Sequence, residues 1–206
     1  MADAASVTGI ILAGGKSSRM GCDKALVMLR GRPMVAWVMD RLQPQVQSLM
    51  LNTNAEVGDY ARFSCPVIAD LLAGYRGPLA GLHASMEQAR TPLLACVPCD
   101  APLLPNDLVA RLQAALTSAG ADVAVAKTPI SLQPTFFVCR NHLGKSIEEY
   151  LGEGRYALKH WMARQHCIEV AFDDEAAFSN VNTPDELLQL DRQMTAAIVT
   201  GTERSG

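Results

Sequence analysis

The run Val7-Thr8-Gly9-Ile10-Ile11-Leu12-Ala13 is short, nearly continuous in apolar character and closed by a glycine pair, Gly14-Gly15. It lacks the polar alternation of a half-exposed strand, so it reads as a strand covered on both faces. Leu93-Leu94-Ala95-Cys96-Val97 repeats that signal in mid-chain. Strands buried on both sides need helices on both sides, and helix-period segments do alternate with the apolar runs. Pro33 opens one such segment, with Val35, Val38, Met39 and Leu42 at helical spacing. Residues 78–89 form a second, and Pro105-Asn106-Asp107 opens a third that stops near Gly120. Residues 48–53, 66–69, 123–126 and 134–139 read as further short strands. Residues 146–165 read as helix broken at Gly152-Glu153-Gly154, and Thr183-Pro184 caps a last helix expected to run to Ile198. This order predicts an α/β fold with a Rossmann-like, doubly wound, mostly parallel sheet in three α/β/α layers. A length of 206 residues suits one domain, here residues 1–199, with the small polar residues 200–206 expected as a disordered tail.

Composition narrows the partners. Hydrophobic residues make up 49% and charged residues only 19%, as a sheet buried on both faces requires. A net charge of −3 argues against non-specific nucleic-acid binding, yet a few local cations and amides still suffice for one polyphosphate. No apolar run approaches the roughly 20 residues of a membrane span. The start Met1-Ala2-Asp3-Ala4-Ala5-Ser6 has no basic segment before an apolar core, so a cytoplasmic protein is expected, bound neither to membrane nor to nucleic acid. The six cysteines (Cys22, Cys65, Cys96, Cys99, Cys139, Cys167) then read as free thiols.

In such sheets ligands sit beyond the carboxyl ends of the strands, near a switch in strand order. The loop after the first strand, Leu12-Ala13-Gly14-Gly15-Lys16-Ser17-Ser18-Arg19-Met20-Gly21-Cys22-Asp23-Lys24, combines a tight glycine turn with three cations. Adjacent glycines expose amide donors to an anion, Arg19 can grip phosphate oxygens in a fork, and Lys16 and Lys24 supply mobile charge. Gly15-Lys16-Ser17 does not complete a Walker A loop, because the first glycine would have to replace Ile10 inside the strand. The G-x-G-x-x-G dinucleotide fingerprint is missing too. A plain glycine-rich connector with solvated cations is the alternative, and the three cations favour a phosphate site.

Asp100 follows the second buried run. It reads equally as the start of a turn at Ala101-Pro102 and as a ligand for Mg²⁺ facing a triphosphate. Cys96-Val97-Pro98-Cys99 has redox spacing, but no helix can open directly behind it, so core or near-site thiols are expected. His83, His142, His160 and His166 show no ligand spacing, and surface or partly buried imidazoles are expected.

With loop and acid in view, the chain resembles the molybdenum cofactor guanylyltransferases over nearly its whole length. Seven stretches carry the likeness in order: residues 12–24, Leu51-Asn52-Thr53-Asn54, Ile68-Ala69-Asp70, Gly77-Pro78-Leu79-Ala80-Gly81, Pro98-Cys99-Asp100-Ala101-Pro102, Gln133-Pro134-Thr135, and residues 180–187. The resemblance implies GTP contacts from Leu12, Ala13, Gly14, Gly15, Lys24, Asn52, Asp70 and Asp100, with Asp100 also holding Mg²⁺. It implies catalytic roles for Arg19, Lys24 and Asp100, and a pterin-side role for Asn180 and Asn182. One departure is a shorter Gly21-Cys22-Asp23-Lys24, which bears on the reach of Lys24.

The implied reaction is transfer of GMP from GTP to the terminal phosphate of Mo-molybdopterin with release of pyrophosphate. GTP and Mo-molybdopterin are then substrates, and cofactor-inserting or molybdoenzyme-chaperone proteins the implied partners. Three alternatives stand beside it: a cytidylyltransferase on the same cofactor, a sugar-phosphate nucleotidyltransferase, and a non-catalytic nucleotide or cofactor carrier. The cytidylyl relatives tend to read Ala-Ala-Gly where this chain has Ala13-Gly14-Gly15, so the glycine pair favours guanine over cytosine.

Overall fold

In the computed structural model, residues 6–14, 23–72 and 77–202 are described. In chain order the elements are β1 (Val7–Leu12), β2 (Met28–Leu29), β3 (Arg32–Pro33), α1 (Met34–Leu42), β4 (Ser48–Asn52), α2 (Val57–Tyr60), β5 (Val67–Ile68) and α3 (Pro78–Gln88). Then follow β6 (Leu93–Pro98), α4 (Leu108–Ala119), β7 (Val123–Lys127), β8 (Leu132–Arg140), α5 (Gly144–Gly152), α6 (Leu158–Met162), β9 (Cys167–Ala171) and α7 (Pro184–Thr202).

Seven strands form one sheet in the order β5-β4-β1-β6-β8-β7-β9. All pairings are parallel except those of β8, which runs antiparallel to both β6 and β7. The period of two along the strands divides the core into two layers. Val7, Ile11, Val97 and Val138 face α1 and α4, packing on Val35, Val38, Leu112 and Leu116. Ile10, Leu12, Cys96 and Phe137 face α3, α5 and α6, packing on Leu79, Leu82, Ile147 and Trp161. Both faces of β1 and β6 are therefore covered, which is why their sequences are apolar throughout. The expected doubly wound, three-layer α/β/α architecture is what forms.

The differences from expectation lie at the margins. β9 was not anticipated: it is an edge strand of partly exposed residues, without a buried apolar run. The β2–β3 hairpin was also missed, its strands being two residues each; Arg30 and Gly31 turn it with φ of 52° and 75°. Between Val125 and Ala126 the register with β8 jumps from Phe137 to Gln133, so Pro134, which has no N–H to donate, sits in a bulge. α7 runs to Thr202, past the expected stop at Ile198, and residues 203–206 of the expected tail lie outside the described residues. Nothing between Thr195 and Thr200 breaks a helix, and Ala196 and Ala197 are strong helix formers. No helix among the described residues is long and apolar enough to cross a membrane.

Candidate active site

The chain leaves β1 for β4 and β5 on one side, then returns to β6 on the other, so the switch in strand order falls between β1 and β6. Leu12 is in register with Pro98, and the Cys99 amide donates to the Leu12 carbonyl at 3.1 Å. Ala13-Gly14 and Asp100 therefore emerge side by side from the same edge of the sheet. On the other flank the Ala13 amide donates to the Asn52 carbonyl at 2.8 Å. The end of β1 thus joins two clusters of polar side chains.

The first cluster centres on Lys24. Asp23 caps a single 3₁₀ turn at Lys24–Leu26, its Oδ1 accepting from the Ala25 amide at 3.0 Å. From that turn Lys24 Nζ donates to Asp100 Oδ2 at 3.2 Å and to Asn182 Oδ1 at 2.6 Å. Lys24 is thus placed within reach of Asp100 in spite of the shorter loop. The Asp100 side chain is 12% exposed. Burial pushes its carboxyl above the usual aspartate range, and the Lys24 ammonium pulls it partly back. Asp100 also lies in a turn, so the two readings of that position coexist.

The segment before α7 is drawn into this cluster by its main chain. The Val181 amide donates to the Asp100 carbonyl at 2.9 Å. Glu186 Oε2 accepts from the Asn182 and Thr183 amides at 2.6 and 3.0 Å, while the Glu186 amide donates to Thr183 Oγ1 at 3.2 Å. This reciprocal cap holds Asn182 against Lys24. Asn180 does not join Lys24: it lines a neighbouring cavity of about 310 Å³ with Leu103, Ser179, Glu186 and Gln189.

The second cluster lies at the end of β4. Asn52 Nδ2 donates to the Ile68 carbonyl at 3.1 Å and to Asp70 Oδ1 at 2.9 Å. Asn54 Nδ2 donates to Asp70 Oδ2 at 2.7 Å and its Oδ1 accepts from the Asp70 amide at 2.9 Å. Asn52 is 3% exposed and packs directly on Gly81 of α3, where a Cβ would stand 1.9 Å from its Oδ1. Gly14 borders the same oxygen, with 3.8 Å to a Cβ built there. Asn52, Asp70 and Gly14 are therefore neighbours, as are Lys24, Asp100 and Asn182. Gly15, Lys16, Arg19 and Cys22 lie outside the described residues.

Asp23, Asn54, Tyr60 and Gly81 were not singled out from sequence. Asp23, Asn54 and Gly81 fall inside stretches that carried the resemblance, which was the available signal. Cys96 and Cys99 face opposite layers of the core, as a strand's alternation dictates, and are not a redox pair. Burial raises both thiols. His83 departs from the expected surface or partly buried placement: it sits on the fully packed side of α3 at 9% exposure. Its Nδ1 has no hydrogen-bond partner among the described residues.

Residues 9–169 match the family described as MobA-like NTP transferase domain. The chain is 44% identical over 198 residues to the molybdenum cofactor guanylyltransferase of Burkholderia ambifaria (strain MC40-6), covering 91% of this chain and 97% of the relative. It is 45% identical over 190 residues to the molybdenum cofactor guanylyltransferase of Cupriavidus necator, covering 88% and 94%. Among solved structures it is similar to molybdopterin-guanine dinucleotide biosynthesis protein A from Archaeoglobus fulgidus, with a TM-score of 0.79 and 23% identity over 92% of this chain and 99% of that one. At that identity the likeness speaks to fold.

Proposed function

Because the chain belongs to the MobA-like NTP transferases, and among them to the molybdenum cofactor guanylyltransferases, it is a nucleotidyltransferase, and we propose that it forms the guanine dinucleotide form of the molybdenum cofactor. GMP passes from GTP to the terminal phosphate of Mo-molybdopterin, and pyrophosphate leaves. The observation that carries this reading is the 3.2 Å contact between Lys24 Nζ, on the turn at Lys24–Leu26, and Asp100 Oδ2, just past the end of β6. A buried carboxylate beside Gly14, paired with a lysine, suits a triphosphate.

In this reading Leu12, Ala13, Gly14, Asn52 and Asp70 receive the nucleoside end of GTP. Gly15 and Arg19 belong to the phosphate channel, and Asn180 and Asn182 to the pterin side. Attack is in line: a terminal phosphate oxygen bonds to the α-phosphorus as the bond to the β-phosphate oxygen breaks. The nucleophile is already an anion, so no general base is needed. Lys24 neutralises charge developing on the phosphates, and Asn182 sets its direction.

Asp100 fits Mg²⁺, which takes one or two carboxylates and completes its shell with phosphate oxygens and water. Among the described residues no group of three or more His, Cys, Asp or Glu could hold a metal, so the ion would be shared with the triphosphate. When bound it supplies positive charge to the α-phosphate and the departing pyrophosphate. GTP and Mo-molybdopterin are the substrates, proteins that insert the cofactor are the natural recipients of the product, and the cytoplasm is the setting. The sheet and its helices act as one nucleotidyltransferase domain.

The test is to supply GTP labelled at the α-phosphate together with Mo-molybdopterin. Label is expected in the dinucleotide product. Label that stays in GTP, or leaves in a hydrolysis product alone, contradicts the reading.

A further inference from the structure

We propose that Tyr60 is a positioning residue for Lys24, its buried hydroxyl anchoring the Asp23 carboxylate that caps the lysine-bearing turn. The inference rests on the reading that Lys24 acts on the nucleotide phosphates.

Tyr60 ends the short helix α2 and is wholly buried, at 0% exposure, inside the layer packed on α1 and α4. Its ring lies 6.0 Å from that of Phe63. Packing of this kind would be served equally by phenylalanine. The hydroxyl needs a separate reason, because a buried O–H without a partner is costly. Its partner is Asp23: the phenol donates to Asp23 Oδ2 at 2.5 Å, across 37 residues of sequence. A charge-assisted bond of that length is among the stronger kinds available to a side chain.

The geometry divides the Asp23 carboxylate between two tasks. Oδ2 is held by the core through Tyr60, and Oδ1 accepts from the Ala25 amide to close the turn at Lys24–Leu26. A continuous path therefore runs from the packed core to Tyr60, Asp23, the Lys24 turn, and the ammonium that meets Asp100 and Asn182. A displacement of about 1 Å in a group that positions reacting atoms costs on the order of 100-fold in rate, so rigidity in this path has a kinetic value.

The experiment is a double-mutant cycle of Tyr60→Phe and Lys24→Ala, read as kcat for GMP transfer, KM for GTP and Tm. Tyr60→Phe is expected to lower kcat about 10-fold with KM for GTP within about twofold. In the Lys24→Ala background the same change is expected to have no further effect on kcat. Asp23→Asn, which keeps the Oδ1 acceptor for Ala25 but cannot accept from the phenol at the other position, should reproduce the loss. It decides the matter if Tyr60→Phe does not fold. An impaired Lys24→Ala with a Tyr60→Phe that turns over normally, or whose loss multiplies undiminished onto Lys24→Ala, overturns the inference alone. A Lys24→Ala protein of wild-type rate would instead remove the reading beneath it.

Discussion

Lys24 Nζ donates to Asn182 Oδ1 at 2.6 Å, closing a gap of 158 residues in sequence. The same nitrogen reaches Asp100 at 3.2 Å, so the loop after β1, the end of β6 and the approach to α7 meet at one ammonium group. Three separated parts of the chain are thereby brought to the edge where β1 and β6 diverge.

Asn182→Ala should uncouple Lys24 from α7 while leaving the fold intact. The Val181 bond to Asp100 and the Glu186 cap use main-chain amides and survive the change. The expected result is a fall in kcat of about 10-fold or more with little change in KM for GTP, since a positioning contact is lost. Steady-state kinetics and a melting curve decide it; a loss of Tm without a loss of kcat would make the contact structural.

Gly81→Ala places a Cβ 1.9 Å from Asn52 Oδ1 and 2.5 Å from its Cγ, and Asn52 at 3% exposure has little room to give. The asparagine must rotate away, which breaks its 2.9 Å bond to Asp70. A destabilisation of about 1–3 kcal/mol is expected from the overpacking, together with a rise in KM for GTP. Urea unfolding and substrate titration measure the two effects. An unchanged KM would remove Asn52 from the nucleoside contacts.

Asp100 gives the pH dependence a definite sign. Burial raises its carboxyl above the ordinary value, so the folded state favours the protonated form. Its contribution to stability is full below the ordinary aspartate range and is lost as pH rises through the raised value. Turnover runs the opposite way, because a carboxylate facing a metal must be ionised. Removing the opposing ammonium by Lys24→Met should move the Asp100 titration to higher pH, as followed by NMR of its carboxyl carbon. A shift to lower pH would contradict the assigned cause.

The legible parts of the fold were those with a strong local pattern. β1 and β6 announce themselves because both their faces are covered, and Gly120 marks the end of α4 because it takes a φ of 61° there. β9 stayed hidden because an edge strand with exposed residues carries no such run. Within the site, Asp100 and Lys24 could be picked out by their position after strands. The pairing of Tyr60 with Asp23 and of Asn54 with Asp70 could not, since each depends on how distant turns are folded together. Resemblance supplied Asn52, Asp70, Asn180 and Asn182, where periodicity and spacing had nothing to offer.

The most direct measurement is pyrophosphate release from GTP, CTP, ATP and UTP in turn, with and without Mo-molybdopterin, at fixed Mg²⁺. Guanylyl transfer at the Lys24–Asp100 edge predicts release from GTP alone, and only when Mo-molybdopterin is present. Release from CTP in preference to GTP, or from no nucleotide at all, would contradict it.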